Sequence, residues 1–389
     1  MRKKVVSVLD LKQRNQAAIL SLLTQQRLSR ADIGRALGLT RASVGEHIDQ
    51  LMEAGRVYER GIGQIKRGRS PVLLDVVADF GFFAGIYLSR GACRFGLVDM
   101  KGGVINGGNV ADAPDMNAKK VLEAAAEGIL SLIKECRLDQ EKLVSVGFSA
   151  PGPIDVKEGV ILTPPGFSHW HGFDVAKQLK EILHRSIVIE SNAASQAEAE
   201  LRFGHGKRCK NFLMLLVDSG GIGGSIVIDG RRVTSTAGFG GEIGHASIKL
   251  DGRLCACGNS GCLERYAGIS EILRESFSPQ DGMYSWQQIV DSAERNDERC
   301  IEAIDREAHY LAAALVSYVN VLEPQAIILG GDLLYKPERL TASLNKALSS
   351  RAIMRSVHSV DVLPSAQKSG HHILSAVAPA FNRYYEEGL

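Results

Sequence analysis

The sequence predicts a small winged helix-turn-helix head joined to an α/β body. Three observations carry that prediction. The N-terminal segment is basic and its apolar residues recur with helical spacing. From about residue 80, strand-like and helical runs alternate, and glycine-rich turns follow several of the strands. Of 389 residues, 45% are hydrophobic and 23% charged, which excludes a disordered chain, a collagen-like repeat or a fibrous coil. A chain of this length is expected to hold two or three domains of about 150 residues. The net charge is only +2, but residues 1–75 carry 14 Lys and Arg against 7 Asp and Glu, and the remainder 32 against 37. A basic head on an acidic body points to a polyanion-binding module, residues 1–75, attached to a second function in residues 76–389.

The head is read element by element. Ile19, Leu20, Leu22 and Leu23 form one apolar helical face. Ser29 with Asp32 three residues on makes a capping box for a helix through Ile33, Ala36 and Leu37, and Gly38 permits the left-handed turn that ends it. Thr40 can cap the next helix, Arg41 to Ala54. There Val44, Ile48 and Leu51 face inward and leave Arg41, Ser43 and His47 as outward candidates for DNA contact. Gly45 within it costs about 1 kcal/mol relative to Ala. Val57 to Leu74 reads as a β-hairpin wing whose basic tip offers Lys66, Arg67 and Arg69 to phosphates or a minor groove. The expected partner is double-stranded DNA.

In the body, strand-like residues 84–98 precede a helix over 118–136, a strand over 144–148, a helix over 175–183 and a strand over 187–190. The order repeats after Phe212 with LMLLV, a glycine turn, SIVI and AIILGG. Seven cysteines are an odd number, and three of them fall within eight residues. His245, Cys255, Cys257 and Cys262 give H-x9-C-x-C-x4-C, with Gly258 and Gly261 to make the turns. This ligand set suits a structural tetrahedral Zn²⁺ with no open position. No run approaches the roughly 20 apolar residues of a membrane helix. MRKKVVSVLD lacks the apolar stretch of a signal peptide, so a cytoplasmic location is expected.

Five ordered motifs carry a family resemblance: VGFSAPGPID (146–155), SGGIGGSI (219–226), AGFGGEIGH (237–245), CACGNSGCLE (255–264) and LEPQAIILGGD (322–332). In order and spacing they resemble the ROK family of bacterial sugar kinases and sugar-responsive repressors, over nearly the whole chain from about residue 80. The N-terminal winged helix matches the repressor branch. The resemblance implies an actin-like, hexokinase-type fold of two α/β lobes that close over a monosaccharide. It also places Glu242, His245 and Glu264 on sugar hydroxyls. Trp170, in PGFSHWHGFD, falls where a sugar-facing loop is expected, and both stacking on a pyranose and plain packing remain open.

The resemblance exposes departures in the kinase machinery. ROK kinases carry a catalytic aspartate in an Asn-Asp pair ending a strand. Here the segment reads VIESNAASQAEAE, with Ser191 and Asn192 in place of the pair. A carboxamide cannot take a proton at neutral pH but can still hydrogen-bond a hydroxyl. The first phosphate loop aligns with YLSRGA (87–92), which lacks the acidic residue and first glycine, and the second reads DSGGIGGS. The expectation is therefore a non-enzyme: a repressor of carbohydrate genes, controlled by a sugar or sugar phosphate. It would act as a homodimer or homotetramer on a palindromic operator. The rival readings are a bifunctional sugar kinase with a DNA-binding head and a regulator governed by a protein partner.

Overall fold

The computed structural model describes residues 8–62, 71–112, 116–164, 167–234, 240–351, 353, 360–367 and 372–387. The head folds as α1 (Val8–Gln25), β1 (Leu28–Ser29), α2 (Arg30–Leu37), α3 (Arg41–Glu53), β2 (Val57–Ile62) and β3 (Val72–Val76), with sheet order β1-β3-β2. The capping box forms as the sequence predicts. Asp32 N donates to Ser29 Oγ at 3.2 Å, and Ser29 N donates to Asp32 Oδ2 at 3.1 Å. α2 ends at Gly38 with φ +66°, and Thr40 Oγ1 accepts from Ser43 N at 3.2 Å to start α3.

The body begins with β4 (Phe82–Ser89), β5 (Gly91–Asp99) and β6 (Val104–Asp112), followed by α4 (Ala118–Glu135) and β7 (Leu143–Ala150). A small sheet of β8 (Ile154–Asp155), β9 (Val160–Ile161) and β10 (Phe173–Asp174) leads to α5 (Val175–Leu183), β11 (Ser186–Ser191) and α6 (Asn192–Phe203). The second lobe opens with β12 (Phe212–Asp218), β13 (Gly221–Ile228) and β14 (Arg231–Arg232). Then come α7 (Glu264–Ala267), α8 (Ile269–Ser276), α9 (Trp286–Glu294) and α10 (Glu298–Leu322). β15 (Ala326–Gly331), α11 (Glu338–Arg351), β16 (Asp361–Pro364) and α12 (His372–Glu387) complete the chain.

The two large sheets have the same plan. The first is ordered β11-β7-β4-β5-β6 and the second β16-β15-β12-β13-β14. In each, an antiparallel hairpin adjoins two further strands that pair parallel. The central strands are buried on both faces, so FFAGIYLS and FLMLLVD read as continuous apolar runs. α4 and α5 cover the outer face of the first sheet, and α8 to α11 that of the second. α12 lies on β4 and β7, α6 on β12 and β13, and these two helices pack on each other between the sheets.

The core of the head runs on into the body. Ile19, Leu20 and Leu23 of α1 and Ile48 of α3 share a cluster with Phe83, Val98, Val377, Phe381, Tyr384 and Tyr385 of the body. The head is joined to α12 by apolar packing. Among the described residues, no helix is long and apolar enough to cross a membrane.

Candidate functional site

A cavity of about 100 Å³ lies where the two lobes meet. Its walls come from strand ends: Ser89 and Arg90 after β4, Gly152 after β7, Ser191 and Asn192 between β11 and α6, and Asp218 with the glycine turn between β12 and β13. Glu242 and Phe167 complete it. Ligands of open α/β sheets bind at such carboxyl ends of strands.

Ser191 caps α6, its Oγ accepting from Ala194 N at 3.3 Å. Asn192 is only 5% exposed. Its Oδ1 accepts from Ser149 Oγ at 2.6 Å, and its Nδ2 donates to the Leu88 carbonyl at 3.0 Å. One N–H and one lone pair of that amide remain, and no atom of it can serve as a base. Burial pushes the Glu242 carboxyl above its usual range, with His245 opposing and Glu264 reinforcing the shift. Glu264 accepts from Ile222 N at 2.9 Å and so braces the glycine turn between β12 and β13. A Cβ at Gly221, where φ is +140°, would lie 2.4 Å from that carboxylate, so the contact requires glycine.

His245, Cys255, Cys257 and Cys262 bring four ligand atoms within 4.8 Å of one another. His245 Nδ1 is 3.6 Å from Cys255 Sγ, and Cys257 Sγ is 3.6 Å from Cys262 Sγ. The knuckle is built by backbone bonds, with Gly258 N donating to Cys255 O and Cys255 N to Asn259 O. Gly261 is forced: at φ +76° its Cβ would lie 1.7 Å from Lys249 O. The cluster fits a metal ion by donor set and spacing. The other ring nitrogen of His245, Nε2, stands 4.0 Å from Glu242 Oε2. One imidazole thus spans the cysteine cluster and the cavity carboxylate.

A second cavity of about 430 Å³ adjoins the first and shares Ser89, Arg90 and Asp218 with it. It receives Tyr87, Arg94, Ser219 and Asp332. Burial pushes the Asp218 carboxyl up to about 6, and burial also raises Asp332. Arg90 stands in the segment aligned with the family's first phosphate loop. An exposed arginine in a turn carries no local signal in the sequence.

In the head, Arg41 is exposed at the start of α3 and lines a groove with Arg30, Arg35 and Gly45 between α2, α3 and β3. Ser43 is half-buried. His47 is not outward: it is 7% exposed and packs towards α1, with Nε2 3.4 Å from Asn15 Nδ2. The buried stripe of α3 is Val44, His47, Ile48 and Leu51, the full i, i+3, i+4, i+7 face. Counting only i, i+4, i+7 placed the histidine on the wrong side. Lys66, Arg67 and Arg69 lie outside the described residues. A Cβ at Gly45 would meet nothing within 4 Å among the described residues, so none of them demands that glycine. Trp170 is fully buried, donates Nε1 to Asp112 at 3.2 Å and packs edge-on to Phe173. It does not line either inter-lobe cavity, and packing is its role; Phe167, three residues earlier, reaches the first cavity instead.

Comparison with known proteins places these features in a lineage. The model of the ROK family matches residues 84–378. The chain is 29% identical over 357 residues to the xylose repressor of Bacillus spizizenii, covering 90% of this chain and 91% of that protein. It is 26% identical to the glucokinase of Thermotoga maritima, over 76% of this chain and 95% of that enzyme. In fold, it matches a solved ROK family transcriptional regulator homologous to the Escherichia coli MLC protein. The TM-score is 0.82 at 23% identity, with 97% and 98% of the two chains covered. The glucokinase match leaves about a quarter of this chain uncovered, whereas the regulator match spans nearly all of it. The chain belongs to the ROK family.

Proposed function

We propose that the protein is a sugar-responsive transcriptional repressor. Its residues 1–75 bind operator DNA, and its residues 76–389 bind a sugar or sugar phosphate without phosphorylating it. The observation that carries the reading is a helix-turn-helix head sharing one apolar core with a ROK body whose cleft presents the amide of Asn192. Relatives of nearly full length are xylose repressors and the E. coli repressor Mlc, which supports a monosaccharide as effector.

Ser191, Asn192, Glu242, His245 and Glu264 would hold the hydroxyls, carboxylates accepting and the amide donating in a partly dry cleft. His245, Cys255, Cys257 and Cys262 would hold Zn²⁺, a four-ligand structural ion that fixes the loop carrying Glu242. Arg41 and Ser43, with Lys66, Arg67 and Arg69, would meet DNA. A ligand that prefers the closed lobes shifts the population towards them and moves paired heads off two half-sites. This action requires a homodimer or homotetramer in the cytoplasm.

The glucokinase relative supports a second reading, a kinase with a DNA-binding head. The test is operator affinity, measured on a duplex that the protein itself selects from a random-sequence pool. Saturating effector from a panel of D-xylose, D-glucose, N-acetyl-D-glucosamine and their phosphate esters should change affinity by about 5- to 150-fold. Unchanged affinity with every sugar that binds would refute sugar control.

A further inference from the structure

α6 starts at the cavity and ends against the head. Its cap, Ser191, and its first residue, Asn192, line the cavity, and twelve residues span about 18 Å to Phe203. Near its far end, Arg202 is 7% exposed. It gives its guanidinium to the last turns of α1. Nη1 donates to Ser21 Oγ at 2.8 Å, and Nη2 donates to Ser21 O at 3.1 Å and Thr24 Oγ1 at 2.5 Å. The rings of Phe381 and Tyr385 from α12 stand 5.3 and 5.2 Å from the guanidinium carbon.

Burying a cation is costly, and the three hydrogen bonds of Arg202 all enter one helix of the DNA-binding head. The carbonyl end of α1 offsets part of that cost through the helix dipole. Between its ends, α6 is fastened to both surrounding layers. Glu198 accepts from Asn382 of α12 at 2.5 Å and from Arg232 at 3.0 Å. Glu200 accepts from Ser365, just after β16, at 2.5 Å and from His205 N at 3.0 Å. The helix is therefore a rigid bar whose first turn touches the cavity and whose last turn holds α1.

We propose that α6 transmits ligand binding to the head, and that Arg202 is the residue through which a sugar seated against Ser191 and Asn192 repositions α1. The proposal rests on the sugar-binding reading given above and adds to it the element that carries the signal. Loss of the Arg202 contacts should uncouple the two ends while leaving both in place.

The experiment is hydrogen exchange of the backbone amides of residues 21–25 in the full-length protein. It is run without and with each sugar of that panel that gives heat in calorimetry. In the wild type, sugar should change their exchange by at least about fivefold. In Arg202→Met, which keeps the packing against Phe381 and Tyr385, the change should fall to within about twofold while sugar binding is retained or tightened by linkage. Should Arg202→Met fail to fold, Ser21→Ala/Thr24→Val removes two of the three acceptors from the other side and should uncouple in the same way. Variants that transmit as the wild type does overturn the proposal. So does a wild type that binds sugar with no change at residues 21–25, which leaves sugar binding standing. A wild type that gives heat with no sugar of the panel overturns the reading and, with it, the proposal.

Discussion

At the scale of residues, the chemistry turns on Asn192. Its Oδ1 meets a hydroxyl donor and its Nδ2 meets a carbonyl oxygen, so the buried position is built for an amide. A carboxylate placed there would set a negative oxygen against the Leu88 carbonyl at 3.0 Å. Asn192→Asp is therefore expected to cost about 1–3 kcal/mol of stability, read as a lower Tm, and not to restore phosphoryl transfer. A variant as stable as the wild type would show that the pocket accepts an acid. In the head, Arg41→Ala should weaken DNA binding by about 1–3 kcal/mol. His47→Ala should instead lower Tm and leave the affinity of the folded protein within roughly twofold, because the ring is spent on packing against α1. A DNA defect for His47→Ala at full stability would return the histidine to the interface.

At the scale of elements, the Cys/His knuckle and the wing strand make separate predictions. Cys257→Ser should lower bound zinc, measured by elemental analysis, and sugar affinity together, since His245 joins the cluster to Glu242. Normal sugar affinity in a zinc-free variant would break that link. On β3, the buried Asp75 carboxylate accepts from Lys101 at 2.6 Å and from Arg27 and Arg60 at 3.2 Å, tying the wing to the turn after β5. Burial alone would raise its carboxyl, but Lys101 and Arg27 hold it below the usual carboxylate range. Stability from a lowered carboxyl is complete above its unfolded value of about 4 and fades as pH falls through the folded value. The advantage of the wild type over Asp75→Asn should therefore be constant near neutrality and shrink below about pH 4. An advantage that grows on acidification would contradict this.

The elements also mark what was legible. Capping at Ser29 and Thr40, the strand-helix alternation and the cysteine spacing were readable because each is a local rule. β6 carries no such local signal, because VINGGNVAD is a largely exposed strand with no apolar period. The Arg202 clasp joins residues about 180 positions apart, and no local pattern announces it.

At the scale of the whole molecule, two sheets of like plan face a cleft, with α6 and α12 packed between them and the head seated on α12. The closure proposed above would reach the head through that helix pair. The cleft is proposed to bind sugar without processing it. The most direct measurement incubates the pure full-length protein with Mg-ATP and a sugar shown by calorimetry to bind, and follows sugar phosphate and ADP over time. Retained heat of binding is expected, with no product above the protein-free background. Sugar-dependent formation of both products by the wild type would contradict that proposal.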